Sequence, residues 1–561
     1  MPDTTDTLRT TLVVLSVLLL VCLGRGLGSV ALIDPDEGRN AAVGAEMAAS
    51  GNWVVPHYNG LPYLDKPVLL FAAIGISTVV LGRSELAARL PALVFTLATA
   101  VLLILLGRQL YSTDTGALAA VVLLSCPLVL AFARIVIFDA VMMFWMTASL
   151  AGLYLALEED STTGAALAWA AAGAGVLTKG PVGLALPVLV GLAHCLVSGR
   201  SPRRARTGTG LLVFAAVVGP WFAAVVCAHP EFAHYAFVRE TFERVATDRM
   251  ERTAPFYTFI VLLLAGALPW IIVPLCAPAR VAGWWRTRRE ETSRESYLLL
   301  WIFVPIAFFT LSQSKRLGYI LPVFPAVALL TAHLSLSAPR AVRHAVSVTA
   351  AAALIIGLIG LGAGSWIAGL VDPSYETLPA IVAGAARRCG AGLLLVAALG
   401  LWARRSGHSA HAVAVLVAFI VVPALSGHPV LAAIAEQRSA RELAAAIEAV
   451  DTESEAAVRV VAIARVPPSL PFYLGRAVLI ATDDGTAIRS NYVQEYLDEL
   501  RQQPGSTLRA GGWCRDAAAA CSEPTIFVTH RKNSDVVSEL EGAMPPIAAS
   551  GRYAAFGPCG R

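Results

Sequence analysis

Apolar runs separated by short polar breaks dominate the chain from residue 11 to residue 427. They fall at 11–23, 67–82, 86–106, 116–133, 138–157, 164–178, 182–198, 209–228, 255–278, 296–311, 319–337, 344–371, 380–403 and 410–427. A helix of about twenty apolar residues rises far enough to cross the hydrocarbon core of a bilayer. The 67–82 run, at about fifteen residues, reaches only ~22 Å as a helix and is the weakest candidate for a crossing. About thirteen crossings follow. From 431 the period changes. "VRVVAIARV", "AVLIAT" and "PTIFVTH" are β-branched and strand-like, and they alternate with helical stretches such as "ARELAAAIEAV" and "VQEYLDELRQQ". The predicted fold is a polytopic α-helical membrane domain over 1–430, followed by a soluble α/β domain over 431–561.

Composition supports the membrane class. Of 561 residues, 57% are hydrophobic and 15% charged, with mean hydropathy +0.66. A soluble fold needs more polar surface than that. The net charge of +4 is spread among loops, which gives no footprint for nucleic acid. Arg9 is the only basic residue ahead of the first apolar run, and no small-residue cleavage site follows it, so an uncleaved first span is expected. Basic loops at 199–206, 280–290, 339–344 and 403–408 read as cytoplasmic. Alternation then puts 33–67, 229–254, 312–318 and the C-terminal domain on the outer side. Cys22, Cys126, Cys195, Cys227, Cys276 and Cys389 sit in or beside apolar runs, where a free thiol is ordinary. Cys514, Cys521 and Cys559 lie in the outer domain; an oxidising compartment permits a disulfide there, and spacing does not fix its pairing.

The outer loops bring carboxylates and cations together. "DPDEGRNAAVGAEMAASGNWVVPHYNGLPYLDKP" starts like a helix, with Asp36 able to cap free N–H groups and Ala41, Ala42, Ala45, Met47 and Ala48 as an apolar face along the interface. Asp65 and Lys66 stand at the next membrane re-entry, where a surface ion pair or a snorkelling lysine is the bland reading. Lys179 at a span mouth reads alone as an anchor. Asp139 opens an apolar run at membrane depth, where ionisable groups are costly and usually functional. "SQSKRLGYILP" adds Lys315 and Arg316. Several cations near one membrane face suit a phosphate at headgroup depth, and a carboxylate beside them suits a general base.

The first of these loops resembles that of the GT-C polyprenyl-phosphate glycosyltransferases. The closest likeness is to the bacterial aminoarabinose transferases that modify lipid A, within the wider protein O-mannosyltransferase superfamily. "GRSELAARLPALVFTLATAVLLILLGRQLY", "GAGVLTKGPVGLALP", "APFYTFIVLLLAGALPW" and "SKRLGYILPVFPAVALL" extend the resemblance over roughly 10–430. It implies a catalytic position for Asp36, with Glu37 and Arg39 completing an Asp-Glu-x-Arg motif. It implies that Lys66 contacts phosphate and that Asp65 stands where a carboxylate is associated with metal. Tyr63, Asp139 and Tyr319 match positions of the substrate cavity; Arg39, Lys179, Arg244, Lys315 and Arg316 match donor-phosphate positions. Asn40 replaces the usual tyrosine and Asp65 the usual glutamate. In "RETFERV" the family histidine is missing, so Glu240 is the candidate second oxygen ligand, with His234 a weaker one. That pair would suit a hard divalent cation of unknown identity.

The expected reaction is inverting transfer of a sugar from a polyprenyl phosphate to lipid A, another glycolipid, a glycan or a protein, on the outer face of the inner membrane. Lys66, with Arg39, Arg244 and Lys315, would neutralise the leaving phosphate, while Asp36 accepts the acceptor's proton. A polytopic transporter or flippase of a glycolipid is the alternative, and an envelope glycan ligase or polymerase a third. No Gly-rich phosphate loop follows a strand in the membrane region, which argues against a nucleotide-driven pump.

Overall fold

The computed structural model describes residues 4–236, 254–289, 293–313, 315–372, 377–452, 458–513 and 523–559. Chain contacts divide it into two units. One comprises Met1–Arg25, Ala92–Ala223 and Thr241–Val430; the other comprises Gly26–Pro91, Ala224–Glu240 and Leu431–Arg561. The sequence-level boundary at 430/431 therefore marks off only the last of three segments that build the second unit.

The first unit is a helical bundle. Among the described residues of the whole chain, nine helices are long and apolar enough to cross a membrane. The chain is multi-pass, although the count of thirteen crossings is not reached by helices of this length. Several predicted spans are broken, and proline explains most breaks because it lacks an N–H and clashes with the preceding turn. The 116–133 run divides into helices Thr113–Leu124 and Pro127–Phe132 at Pro127. The 255–278 run gives Thr258–Gly266 and Ile272–Leu275 around Pro269. The 319–337 run begins as a 3₁₀ stretch, Leu317–Val323, and becomes α-helical at Phe324. The 344–371 run ends its long helix at Gly362. Leu69–Leu81, with 13 residues, is as short as expected.

Burial separates central from peripheral helices. Phe138–Glu159 and Leu317–Ser337 are each 83% buried over their most apolar stretch, whereas Pro202–Ala228 is only 6% buried. The central pair brings Asp139 and Tyr319 into the interior. Large side chains there keep their polar ends satisfied. Trp270 Nε1 donates to Ser125 Oγ at 2.9 Å, Trp301 Nε1 to the Pro322 carbonyl at 2.9 Å, and Tyr297 Oη to the Leu150 carbonyl at 2.7 Å.

The second unit contains a hairpin, β1 (His57–Tyr58) and β2 (Leu61–Pro62), and a six-stranded sheet. The sheet strands are β3 (Arg459–Ile463), β4 (Leu479–Ala481), β5 (Leu508–Arg509), β6 (Thr525–His530), β7 (Pro546–Ser550) and β8 (Tyr553–Cys559). They run in the order β5-β4-β3-β6-β8-β7, the first four parallel and β8 and β7 antiparallel to their neighbours. The three predicted strands are β3, β4 and β6. "VQEYLDELRQQ" forms two short helices, Asn491–Glu495 and Leu497–Gln502. Cys559 is disulfide-bonded, while Cys514 and Cys521 lie outside the described residues.

The hairpin joins the sheet through its turn. Asn59 Nδ2 donates to the Val478 carbonyl and Asn59 Oδ1 accepts from Val478 N–H, both at 2.8 Å, just ahead of β4. Thr507 Oγ1 donates to the Asn59 carbonyl at 2.9 Å, just ahead of β5. The loop between the first and second apolar runs is thus built into the sheet unit.

Candidate active site

In the second unit the motif Asp36-Glu37-Gly38-Arg39 forms the first turn of helix Asp36–Ser50. Asp36 is not its cap. Pro35 holds that position, and it offers no side-chain oxygen. Nor does the helix lie open along an interface: Ala41, Ala42, Val43, Gly44, Ala45 and Met47 are all buried.

The first turn splits its two carboxylates. Glu37 is 5% exposed and faces inward. Arg89 Nε and Nη2 donate to its two oxygens at 2.9 Å each, and Ile33 N–H donates at 2.9 Å. The remaining Arg89 donors go to the carbonyls of Leu27 (3.0 Å), Val30 (2.5 Å) and Ala31 (2.9 Å). All five guanidinium N–H groups are spent, so this buried pair has the extra hydrogen bonds that offset desolvation. Asp36, one residue earlier, keeps a side chain 44% exposed and pairs with Arg39 Nη2 at 2.6 Å. Arg39 in turn lies 5.6 Å over the Tyr63 ring, a cation–π distance. Tyr63 is held edge-on against Tyr58 and Phe71.

Glycine is required directly after these carboxylates. A Cβ at Gly38 would stand 2.1 Å from Asp34 Oδ1 and 2.6 Å from the Ser469 backbone nitrogen. Asp34 Oδ1 is buried and makes no hydrogen bond among the described residues, while Oδ2 accepts from Ser469 Oγ at 2.9 Å. Burial pushes the Asp34 carboxyl up to about 7, against the opposing pull of Ser469.

Asp65, like Glu37, has its oxygens taken up by protein donors. Its Oδ1 accepts from Tyr235 Oη at 2.7 Å and Tyr492 N–H at 2.9 Å, and its Oδ2 from Asn491 N–H at 3.1 Å. Tyr235 and Tyr492 meet edge to face at 5.3 Å. The Tyr492 hydroxyl donates to Glu231, which also faces His229 Nδ1 at 3.2 Å. Burial works against the Glu231 carboxylate, but Tyr492 and His229 hold it below the usual range. Both Oδ1 lone pairs are used and a third donor occupies Oδ2, leaving little room for a metal. Among the described residues no group of three or more His, Cys, Asp or Glu is placed to hold one. Lys66 Nζ donates to the Asp65 backbone carbonyl at 2.5 Å, so the Asp65 clamp fixes the peptide that the lysine leans on.

The first unit contains the second cluster. Lys179, last residue of helix Thr162–Lys179, donates to Asp139 Oδ1 at 2.5 Å. Its Nζ also lies 4.9 Å over the Tyr319 ring. Tyr319 packs between Phe259 and Phe309. Gly318 has no room for a Cβ, which would fall 2.3 Å from the Asp139 carboxyl. The 3₁₀ stretch thus passes directly over this ion pair. Lys315 Nζ donates to the Ser312 carbonyl at 2.9 Å, and both Lys315 and Arg316 are half-buried. Glu240 and Arg244 lie outside the described residues; His234 ends the short helix Phe232–His234.

Arg89, Tyr235, Asn491 and Tyr492 are functional neighbours that sequence reasoning misses. Arg89 carries a usable signal, a lone charge between apolar residues near the start of a span. The other three have none, because ordinary residues become partners only through tertiary contact.

Residues 65–226 match the family model of dolichyl-phosphate-mannose-protein mannosyltransferases. The undecaprenyl phosphate-alpha-4-amino-4-deoxy-L-arabinose arabinosyl transferase of Erwinia tasmaniensis is 34% identical over 309 residues, covering 54% of this chain and 55% of that protein. Its counterpart from Aeromonas salmonicida is 34% identical over 307 residues with the same shares. The chain spans about half the length of the curated relatives it matches. The crystal structure of ArnT from Cupriavidus metallidurans bound to undecaprenyl phosphate superposes with a TM-score of 0.81, at 24% identity, over 97% of each chain. The chain is close in sequence to the aminoarabinose transferases over that half and has the GT-C fold, as the first-loop motif implied.

Proposed function

We propose that a chain with this fold and these relatives is an inverting glycosyltransferase of the bacterial inner membrane. It would move a sugar from undecaprenyl phosphate to lipid A or another envelope acceptor on the outer face. One observation carries the catalytic assignment. Glu37, Asp65 and Asp139 are buried and tied to protein partners, whereas Asp36 is half exposed and, among the described residues, paired with Arg39 alone.

Asp36 is the base in this reading. An acceptor oxygen attacks the anomeric carbon, the bond from that carbon to the donor phosphate oxygen breaks, and the proton passes to Asp36. Polyprenyl phosphate leaves with the bonding electrons. A phosphate monoester needs charge neutralisation more than protonation, because its later pKa is about 6. Lys66 and Arg39 supply that in the loop. One displacement suffices, so no second carboxylate acts as nucleophile. Asp65 works here as a clamp on the Lys66 peptide, and no step is routed through a divalent cation.

Labelled undecaprenyl-phosphate sugar offered to the purified protein tests this. Transfer releases undecaprenyl phosphate and labels the acceptor. A transporter would relocate the intact lipid and release nothing, which would overturn the assignment.

A further inference from the structure

The first unit has a cavity of about 620 Å³ lined by Arg25, Ala380, Ile381, Gly384, Arg388, Leu425, Ser426 and Pro429. None of these belongs to the candidate active site. We propose that it binds the phosphate of a membrane lipid, seated between Arg25 and Arg388 with its acyl part along Ile381 and Leu425.

Charge comes first. Two arginines line the cavity and no carboxylate does. Both are exposed, and among the described residues neither guanidinium makes an ion pair. Arg134 adds a third cation by donating to the Arg25 carbonyl. Arg388 folds back across Gly384, its Nη1 only 3.3 Å from where a Cβ there would stand. The missing side chain leaves the guanidinium its place on the cavity wall. Planar guanidinium groups with free N–H donors suit phosphate oxygens, and Ser426 offers a hydroxyl beside them.

Depth identifies the source. Helix Leu378–Ser406 carries Arg387 and Arg388, then the apolar stretch 389–403, then Arg404 and Arg405. From Arg388 to Arg404 is ~24 Å at 1.5 Å per residue, so with snorkelling the two arginine pairs reach opposite headgroup layers. Leu395, Leu399, Leu401 and Trp402 between them are 43–61% exposed, as on a helix that faces lipid. Anchoring accounts for Arg404 and Arg405. It does not account for a cavity that takes one arginine from just past the end of helix Thr4–Gly24 and another from within helix Leu378–Ser406.

The full chain carrying Lys66→Ala, which weakens phosphate binding in the reaction site, is titrated in neutral detergent with fluorescent phosphatidic acid, with phosphatidylcholine and inorganic phosphate as competitors. One saturable site is expected, unaffected by either competitor at tenfold excess. Arg25→Gln/Arg388→Gln should weaken it at least tenfold, while Arg404→Gln/Arg405→Gln, equal in charge removed, leaves it unchanged. No saturable binding, equal loss in both variants, or displacement by inorganic phosphate would each overturn the proposal. A photoactivatable phosphatidic acid on the unmodified protein covers the case of a variant that misfolds. Label must appear in peptides containing Ile381 or Leu425, and label elsewhere alone is a refutation.

Discussion

The pair Asp36–Arg39 in the loop and the pair Asp139–Lys179 in the bundle contain the same chemistry in different surroundings. Asp139 is 5% exposed, meets its lysine at 2.5 Å and is roofed by Gly318 and Tyr319. Asp36 has a side chain 44% exposed and, among the described residues, pairs only with an arginine three residues on. An ion pair deep in the bundle costs its desolvation, so it survives only with close geometry and then resists rearrangement. A pair whose carboxylate is 44% exposed, against 15% for its arginine, adds less to stability and can be opened by a ligand from the carboxylate side. The first suits positioning and the second suits proton transfer. The comparison also explains why neighbouring carboxylates differ: Glu37, adjacent to Asp36, has the bundle-type environment inside the loop.

Two substitutions would break the contrast most severely. Asp36→Asn removes the base while keeping size, and activity should fall by about 10²–10⁴-fold, the usual span for a general base. Its melting temperature should fall by no more than a few degrees, because the carboxylate end of the pair is 44% exposed and the asparagine still offers Arg39 an acceptor oxygen. Activity near the parent level in a release assay would take Asp36 out of the base role. Arg89→Met should behave in the opposite way. It leaves Glu37 buried without its cation, at a cost of about 3–5 kcal/mol, so a large drop in melting temperature should accompany any lost activity. An Arg89→Met protein that melts like the parent would show that Glu37 is solvated by other means.

What is legible in the sequence follows the same division. Period and composition mark the apolar runs and the three buried strands, because burial on both faces leaves a continuous apolar signal. They do not show that the 116–133 and 255–278 runs break, although Pro127 and Pro269 are in view. A proline in a span is tolerated or breaks the helix according to its neighbours. The motif residues Asp36, Arg39, Tyr63 and Lys66 are legible through their spacing. Their division of labour is not. Whether Asp36 or Glu37 faces inward depends on Arg89, 52 residues from Glu37 along the chain, and Asp65 meets its partners from segments more than 160 residues distant. The hairpin around Asn59-Gly60 is not read from the sequence either, because its two strands, of two residues each, are too short to show an alternating pattern.

Asp65 gives a smaller test that separates clamp from metal ligand. Asp65→Asn turns one acceptor oxygen into a donor facing an N–H or O–H group, a loss of about 1–3 kcal/mol per buried mismatch. Lys66 then loses its fixed peptide, so donor KM should rise more than kcat falls. Tyr235→Phe, which deletes one donor only, should give a weaker version of the same change. Chelator treatment should leave the parent's activity and melting temperature as they were. A metal bound at one equivalent, with loss of melting temperature on its removal, would replace the clamp by a metal site.

The finest effect belongs to Asp34. Its carboxyl, with burial pushing it up to about 7, keeps its proton in the folded chain where the unfolded chain has lost it near 3.8. The folded state therefore binds more protons between those values, and stability must fall as pH rises through the window, by at most about 1.4 kcal/mol per pH unit. Below 3.8 the full contribution is present, and above 7 it is gone. Asp34→Asn has no proton to lose, so the difference in stability between parent and variant should slope between pH 4 and 7 and flatten above it. Other titrating groups cancel in that difference provided they do not touch Asp34. The Gly38 contact adds a control, since Gly38→Ala should destabilise the parent by displacing Asp34 Oδ1 without introducing a new titration. A flat difference across the whole window would mean that Asp34 is ionised in the folded loop, and that its buried Oδ1 has a partner.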